Sequence, residues 1–102
     1  MKIVNEKDFE KEISEGLVLV DFFATWCGPC RMMGMILEGV EEEVKDKVKI
    51  IKIDVDENEA LARRFGIMSI PTLILFENGK LYEKHVGLWQ KEDLVELINS
   101  FN

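Results

Sequence analysis

Cys27 and Cys30 are the only two cysteines in the chain, three positions apart in Trp26-Cys27-Gly28-Pro29-Cys30. The apolar run 17–24 ends just before them. Met33, Ile36, Leu37, Val40 and Val44 follow at the offsets of one helical face. The pair therefore opens a helix just past the end of a strand. Pro29 is tolerated there, because a first-turn N–H has no intrahelical partner to lose. Residues three apart on a helix lie roughly 5–6 Å apart at Cβ, close to what a disulfide spans. That geometry suits reversible dithiol–disulfide exchange. Two other uses of the pair compete with it. A structural staple around so small a loop removes only on the order of 2 kcal/mol of denatured-chain entropy. A structural zinc site needs about four ligands, and the chain offers no second cysteine pair and one histidine, His85.

Position assigns roles within the pair. Cys27 sits at the N-terminal edge of the helix, where unpaired N–H groups and the macrodipole favour a thiolate, the attacking form. Cys30, one turn on and deeper, is the resolving thiol. It must lose a proton, and Asp21 is the candidate acceptor. A carboxylate inside the apolar strand 17–23 faces a large desolvation cost unless it is paired or stays protonated. It reads either as a buried proton carrier beneath the cysteines or as a strand-end acid that reaches solvent. Lys52, the lone cation among Ile50, Ile51 and Ile53, reads as its partner.

The elements that must position these groups follow from patterning. A short strand is expected at 2–4, then a helix over 6–15 capped by Asn5, with Phe9 and Ile13 inward and Gly16 ending it. Strand 17–23 is apolar on both faces, as a central strand covered by helices should be. After the cysteine helix come a charged turn at 45–47, a core strand at 48–55 and a short helix at 59–65 closed by Gly66. A strand at 72–76 is joined by Asn78-Gly79, a strong hairpin signal, to a strand at 80–86. The last helix, 91–101, carries Leu94, Leu97, Ile98 and Phe101 on one face. The order β-α-β-α-β-α-β-β-α predicts a single α/β domain spanning 1–102, parallel in its first half, with an antiparallel hairpin near the end.

Composition narrows the function classes. At 102 residues and 47% hydrophobic, the chain suits one globular domain. Its formal net charge of −7 argues against nucleic acid or anionic lipid as a partner. No run approaches membrane-spanning length, and the first residues lack a signal-peptide core. A soluble protein of the reducing cytoplasm is expected, where persistent structural disulfides are rare.

Val20-Asp21-Phe22-Phe23-Ala24-Thr25-Trp26-Cys27-Gly28-Pro29-Cys30-Arg31-Met32, Ile70-Pro71-Thr72, Asn78-Gly79 and Val86-Gly87, in this order and spacing, resemble the thioredoxin family across essentially the whole chain. The resemblance implies the thioredoxin fold, a central mixed five-stranded sheet flanked by about four helices on both faces. It implies a general protein-disulfide reductase, an electron carrier acting on disulfide-containing client proteins as a monomer. Its implied partner is the flavoprotein thioredoxin reductase, which passes on electrons from NADPH or, in some organisms, from ferredoxin. No metal or cofactor is implied for the chain itself. The family's pattern makes Pro71 a cis-proline against the disulfide. Its neighbour Ile70 would pair with an extended substrate strand through the backbone. Trp26, Gly28, Pro29, Ile70, Val86 and Gly87 match the family's apolar contact surface around an exposed sulfur, and Asp56 matches the partner of the Trp26 indole.

Some features depart from that pattern. Met35 stands where most bacterial thioredoxins have proline, and Phe23 where tryptophan is frequent. Gly34 and Gly39 lie inside the cysteine helix, each costing up to about 1 kcal/mol relative to alanine. The run Met32, Met33, Met35 with Met68 reads as gap-filling core, or as an adaptable substrate surface. His85 reads as a solvated strand residue. A dithiol oxidase or isomerase on the same fold, and a redox-silent binding subunit, remain the alternative functions; the Gly-Pro between the cysteines points to the reducing end.

Overall fold

The strand Leu17–Phe23 (β2) is buried along nearly its whole length, so it must be covered on both sides. In the computed structural model, which describes residues 1–101, it pairs in parallel with Lys49–Asp54 (β3) and antiparallel with Thr72–Glu77 (β4). Lys2–Ile3 (β1) adds to β3 in parallel, and Lys80–Val86 (β5) adds to β4 antiparallel. The five strands run β1-β3-β2-β4-β5, a mixed sheet. Four helices complete it: Phe9–Ile13 (α1), Gly28–Val44 (α2), Glu59–Arg64 (α3) and Lys91–Asn99 (α4).

Alternation along the strands splits the core into two layers. Val18, Val20, Phe22, Ile51, Ile53, Ile74 and Phe76 pack against Phe9 and Ile13 of α1 and Leu61 of α3. Leu19, Ile50, Leu73 and Leu75 face Met33, Leu37, Val40 and Val44 of α2 and Leu94 and Ile98 of α4. Each such side chain contributes about 1.5–3 kcal/mol on burial. A layer of that strength can hold one unfavourable group, and it holds Asp21.

The expected elements appear in the expected order, with shorter ends in places. The first helix starts at Phe9 rather than at residue 6. Asn5 does not cap it, since the N-cap is Asp8; instead the Asn5 carbonyl and Oδ1 both accept from the Asp8 N–H at 3.1 Å and close a tight turn before the helix. The Glu6 N–H is drawn away to Asn58 Oδ1 at 2.8 Å, across the fold. The last helix ends at Asn99, where the Ser100 and Phe101 N–H groups close its final turn.

Asn78 and Gly79 form the β4–β5 turn with φ of 50° and 84°, the left-handed pair a tight hairpin demands. Asn78 also joins the hairpin to the start of β2. Its N–H donates to the Gly16 carbonyl at 2.9 Å, and its Oδ1 accepts from the Gly16 N–H at 2.8 Å. Replacing Asn78 by alanine removes that acceptor and leaves a less tolerant residue at positive φ. The expected loss is about 2 kcal/mol in urea unfolding of the oxidised protein. A loss below about 0.5 kcal/mol, the range of ordinary surface changes, would show that the turn does not depend on the amide.

Candidate dithiol site

β2 ends at Phe23, and after the turn at 24–26 the chain enters α2 with Cys27 as its N-cap, backbone extended at φ −90° and ψ 113°. The Cys27 N–H donates to the Ala24 carbonyl at 3.2 Å, which fixes the turn. The Cys27 Sγ accepts from the Cys30 N–H at 3.2 Å, taking up one of the N–H groups that a helix start leaves without a partner. Cys27 and Cys30 are joined as a disulfide with their Cα atoms 5.2 Å apart. The expectation that Cys27 is exposed and Cys30 deeper needs correction, because the two residues are 4% and 3% exposed. Cys27 is covered from the side by the segment bearing Ile70, whose carbonyl oxygen lies 3.9 Å from its Sγ. Both cysteines, with Phe23 and Ala24, form a small apolar cluster against which Ile70 and Val55 pack.

The rim assembles from three loops. Trp26 is 68% exposed, and its indole N–H donates to Asp56 Oδ2 at 2.7 Å. Gly28 and Pro29 are exposed, Ile70 is half-buried, and Val86 is 60% exposed. The Ile70–Pro71 peptide is cis and Pro71 is buried. The Pro71 carbonyl accepts from the Gly87 N–H at 2.8 Å, which brings Val86-Gly87 to the same edge. Thr72 Oγ1 donates to the Ser69 carbonyl at 2.7 Å. The Lys84 ammonium donates to the Phe65 and Gly66 carbonyls at 2.8 and 3.3 Å, anchoring the chain that leads to Ile70. Thr72 and Lys84 were not legible as site supports in the sequence, since each acts on a segment remote in chain or through a loop conformation.

Two sequence expectations about other residues are corrected here. His85 is half-buried: its ring stacks on Trp89 at 4.5 Å, and Nε2 donates to the Leu88 carbonyl at 2.8 Å. Trp89, in the short gap before α4, is buried and donates its N–H to Met33 Sδ at 3.3 Å. A large aromatic in so short a connection was the available signal. Of the methionines read as core, only Met33 is buried; Met32, Met35 and Met68 are 55%, 71% and 94% exposed, because they fall off the inward stripe of α2 or lie in the 66–71 loop.

Asp21 is fully buried on the α2 side of β2, and neither carboxylate oxygen has a hydrogen-bond partner. Desolvation pushes its pKa up to about 6, opposed in part by the positive charge of Lys52. Lys52 is the register partner of Asp21 on β3, yet no direct ion pair forms. The Lys52 Nζ lies over the Phe23 ring, 4.5 Å from its centroid. The expected pairing is therefore through space and not by contact.

A cysteine pair at disulfide distance, capping a helix that follows a central strand of a mixed α/β sheet, defines a thiol–disulfide exchange protein. The family model described as Thioredoxin matches residues 1–100. The chain is 50% identical over 101 residues to thioredoxin of Listeria monocytogenes, covering 99% of this chain and 98% of that protein. It is 52% identical over 101 residues to thioredoxin of Bacillus subtilis, covering 97% of each. A mutant thioredoxin from Halobacterium salinarum superposes with a TM-score of 0.87 at 37% identity, over 99% of this chain and 88% of that one. The chain belongs to the thioredoxin family, and its site is that of a thiol–disulfide reductase. Among the described residues no helix is long and apolar enough to cross a membrane.

The Asp21 environment carries a measurable consequence. Its folded-state pKa, about 6, lies above the ordinary aspartate value of about 3.9. The native state therefore binds more protons between those values, and stability falls as pH rises through that window. A difference of this size corresponds to about 3 kcal/mol. The stability gained on Asp21→Asn should grow by about that amount between pH 4 and pH 8, measured by urea unfolding of both oxidised proteins. A pH-independent difference would show that Asp21 does not titrate in this range.

Proposed function

We propose that the protein is a general reductase of protein disulfides in which Cys27 attacks and Cys30 resolves. The observation that carries this reading is the Cys30 N–H aimed at the Cys27 Sγ at the start of α2, with the second sulfur already within bonding reach. In the reduced form the same N–H and the α2 dipole stabilise a Cys27 thiolate. That thiolate attacks one sulfur of a client disulfide; the client S–S bond breaks, and one client thiolate leaves. Cys30 then gives its proton to the Asp21 carboxylate, directly or through a water, and its sulfur attacks the Cys27 Sγ. The mixed disulfide breaks, the second client thiolate departs, and the protein is left as the Cys27–Cys30 disulfide. Two electrons pass to the client.

Lys52 holds positive charge near Asp21 and keeps it able to ionise close to neutral pH. Trp26, Gly28, Pro29, Ile70, Val86 and Gly87 form the client-docking rim. The Ile70 backbone beside Pro71 offers the hydrogen-bonding edge for an extended client segment. The family relationship supports thioredoxin reductase as the electron donor. A monomer working in the cytoplasm as one domain fits the charge and the thiol chemistry.

Reduction of insulin by dithiothreitol tests the whole reading. The wild type should accelerate precipitation of the insulin B chain, and Cys27→Ser should return the rate to that of dithiothreitol alone. An unaccelerated wild-type reaction would favour a redox-silent binding subunit. Single-turnover reaction with a labelled disulfide peptide separates the two steps. Asp21→Asn should slow release of the second thiol on the order of 100-fold, the low end for a positioned base. Formation of the mixed disulfide in a Cys30→Ser background should change little. Equal slowing of both steps would remove Asp21 from the proton-transfer role.

A further inference from the structure

Gly34 sits in the second turn of α2, where glycine weakens a helix by up to about 1 kcal/mol relative to alanine. Its neighbourhood accepts a methyl group, so glycine over alanine is unexplained, but it limits anything larger. A Cβ built on Gly34 would lie 3.8 Å from the Lys52 Nζ, in ordinary van der Waals contact, so a γ-atom directed toward β3 would compete for the ammonium's place. Lys52 reaches that place from the middle of β3, on the sheet face it shares with Asp21, its register partner. There the ammonium rests against the face of Phe23, in contact with no carboxylate.

We propose that residue 34 acts by its small size as a positioning residue for the dithiol chemistry: the strip of α2 that Gly34 leaves free of a long side chain is the seat of the Lys52 ammonium, and so sets the charge felt by Asp21. This rests on the reading of Asp21 and Lys52 given above. A chain with no notch at this point would drive the ammonium outward toward water, where solvent screens its charge from Asp21. Asp21 would then face its desolvation unopposed. The ionisable groups that face Asp21 are few. Lys52, its register partner on β3, is the charge that acts on it, and β4 places Leu73 opposite it; the Cys27 and Cys30 thiols join them only in the reduced state of the proposed cycle. In the disulfide form the thiols are silent, and Lys52 is the one charge left to move.

The test follows the Asp21 carboxyl by carbon NMR in the oxidised protein, across pH 4 to 9. Gly34→Ala, whose Cβ fits beside the ammonium, should titrate as the wild type does. Gly34→Val, with two γ-methyls held in one rotamer on a helix, should raise the midpoint by about one pH unit. Gly34→Leu is made alongside it, so that a failure of either variant to fold leaves the other to answer. Lys52→Met should raise the midpoint by a similar amount. Adding it to the larger Gly34 variant should then produce little further change, the signature of one shared interaction. The release step in single turnover should show the same upward move in its pH profile. If Lys52→Met moves the midpoint and neither larger Gly34 variant does, the seat is refuted while the Lys52 reading stands. If none of the three moves it, both fall together. An additive double mutant would also overturn the seat, since Gly34 and Lys52 would then act independently.

Discussion

A helix cannot satisfy its own first N–H groups, and in this protein that constraint is met by sulfur. Cys27 caps α2 with its Sγ where Ser, Thr, Asp or Asn would ordinarily stand. A thiolate is a better acceptor for such N–H groups than a disulfide sulfur. In the proposed cycle the cap is therefore strongest in the state that attacks a client, and the folding requirement and the chemistry ask for the same atom. Everything that holds the start of α2 in place serves that atom: the Ala24 carbonyl behind it, the Ile70 carbonyl beside it, and the Met33–Trp89 contact one turn further along.

Beneath the cap the sheet carries an opposite kind of device. Asp21 has no hydrogen-bond partner and no contact ion pair, in a layer whose buried core is apolar. Left alone, such a group would remain protonated well into neutral pH. The Lys52 charge draws it back toward a value near 6, where it can accept a proton from Cys30 in the proposed cycle. The ammonium acts from over Phe23 and not by contact, which avoids locking the carboxylate in its charged form. A direct buried ion pair would hold the proton off too firmly for a group that has to take one up and give it back.

Much of this was legible in the chain. The LVLVDFF run between Gly16 and Ala24 could only be a covered strand, and β2 has those ends. Asn78-Gly79 named the hairpin, since its turn needs two positive φ values that few other pairs tolerate. The first helix is shorter than its pattern predicts: residues 6–8 form a turn closed by Asn5 on the Asp8 N–H, and the Glu6 N–H is held by Asn58, 52 positions away. The methionines divide between the two alternatives that the sequence left open, Met33 in the core and Met32, Met35 and Met68 on the surface. Met32, Met33 and Met35 differ in burial only through the helical face they occupy, and composition does not register the face.

The amino-acid sequence by itself determined the two cysteines, their spacing and the strand–helix junction on which they sit. These are local quantities, set by residue type and by periodicities of two and 3.6. Only the tertiary structure decided the environment of those residues. It placed Ile70 over Cys27, put Lys52 above Phe23 instead of on Asp21, and brought Gly34 of α2 beside the Lys52 ammonium. Such relations join residues from different elements, and burial and through-space charge depend on distances that the order of the chain does not contain.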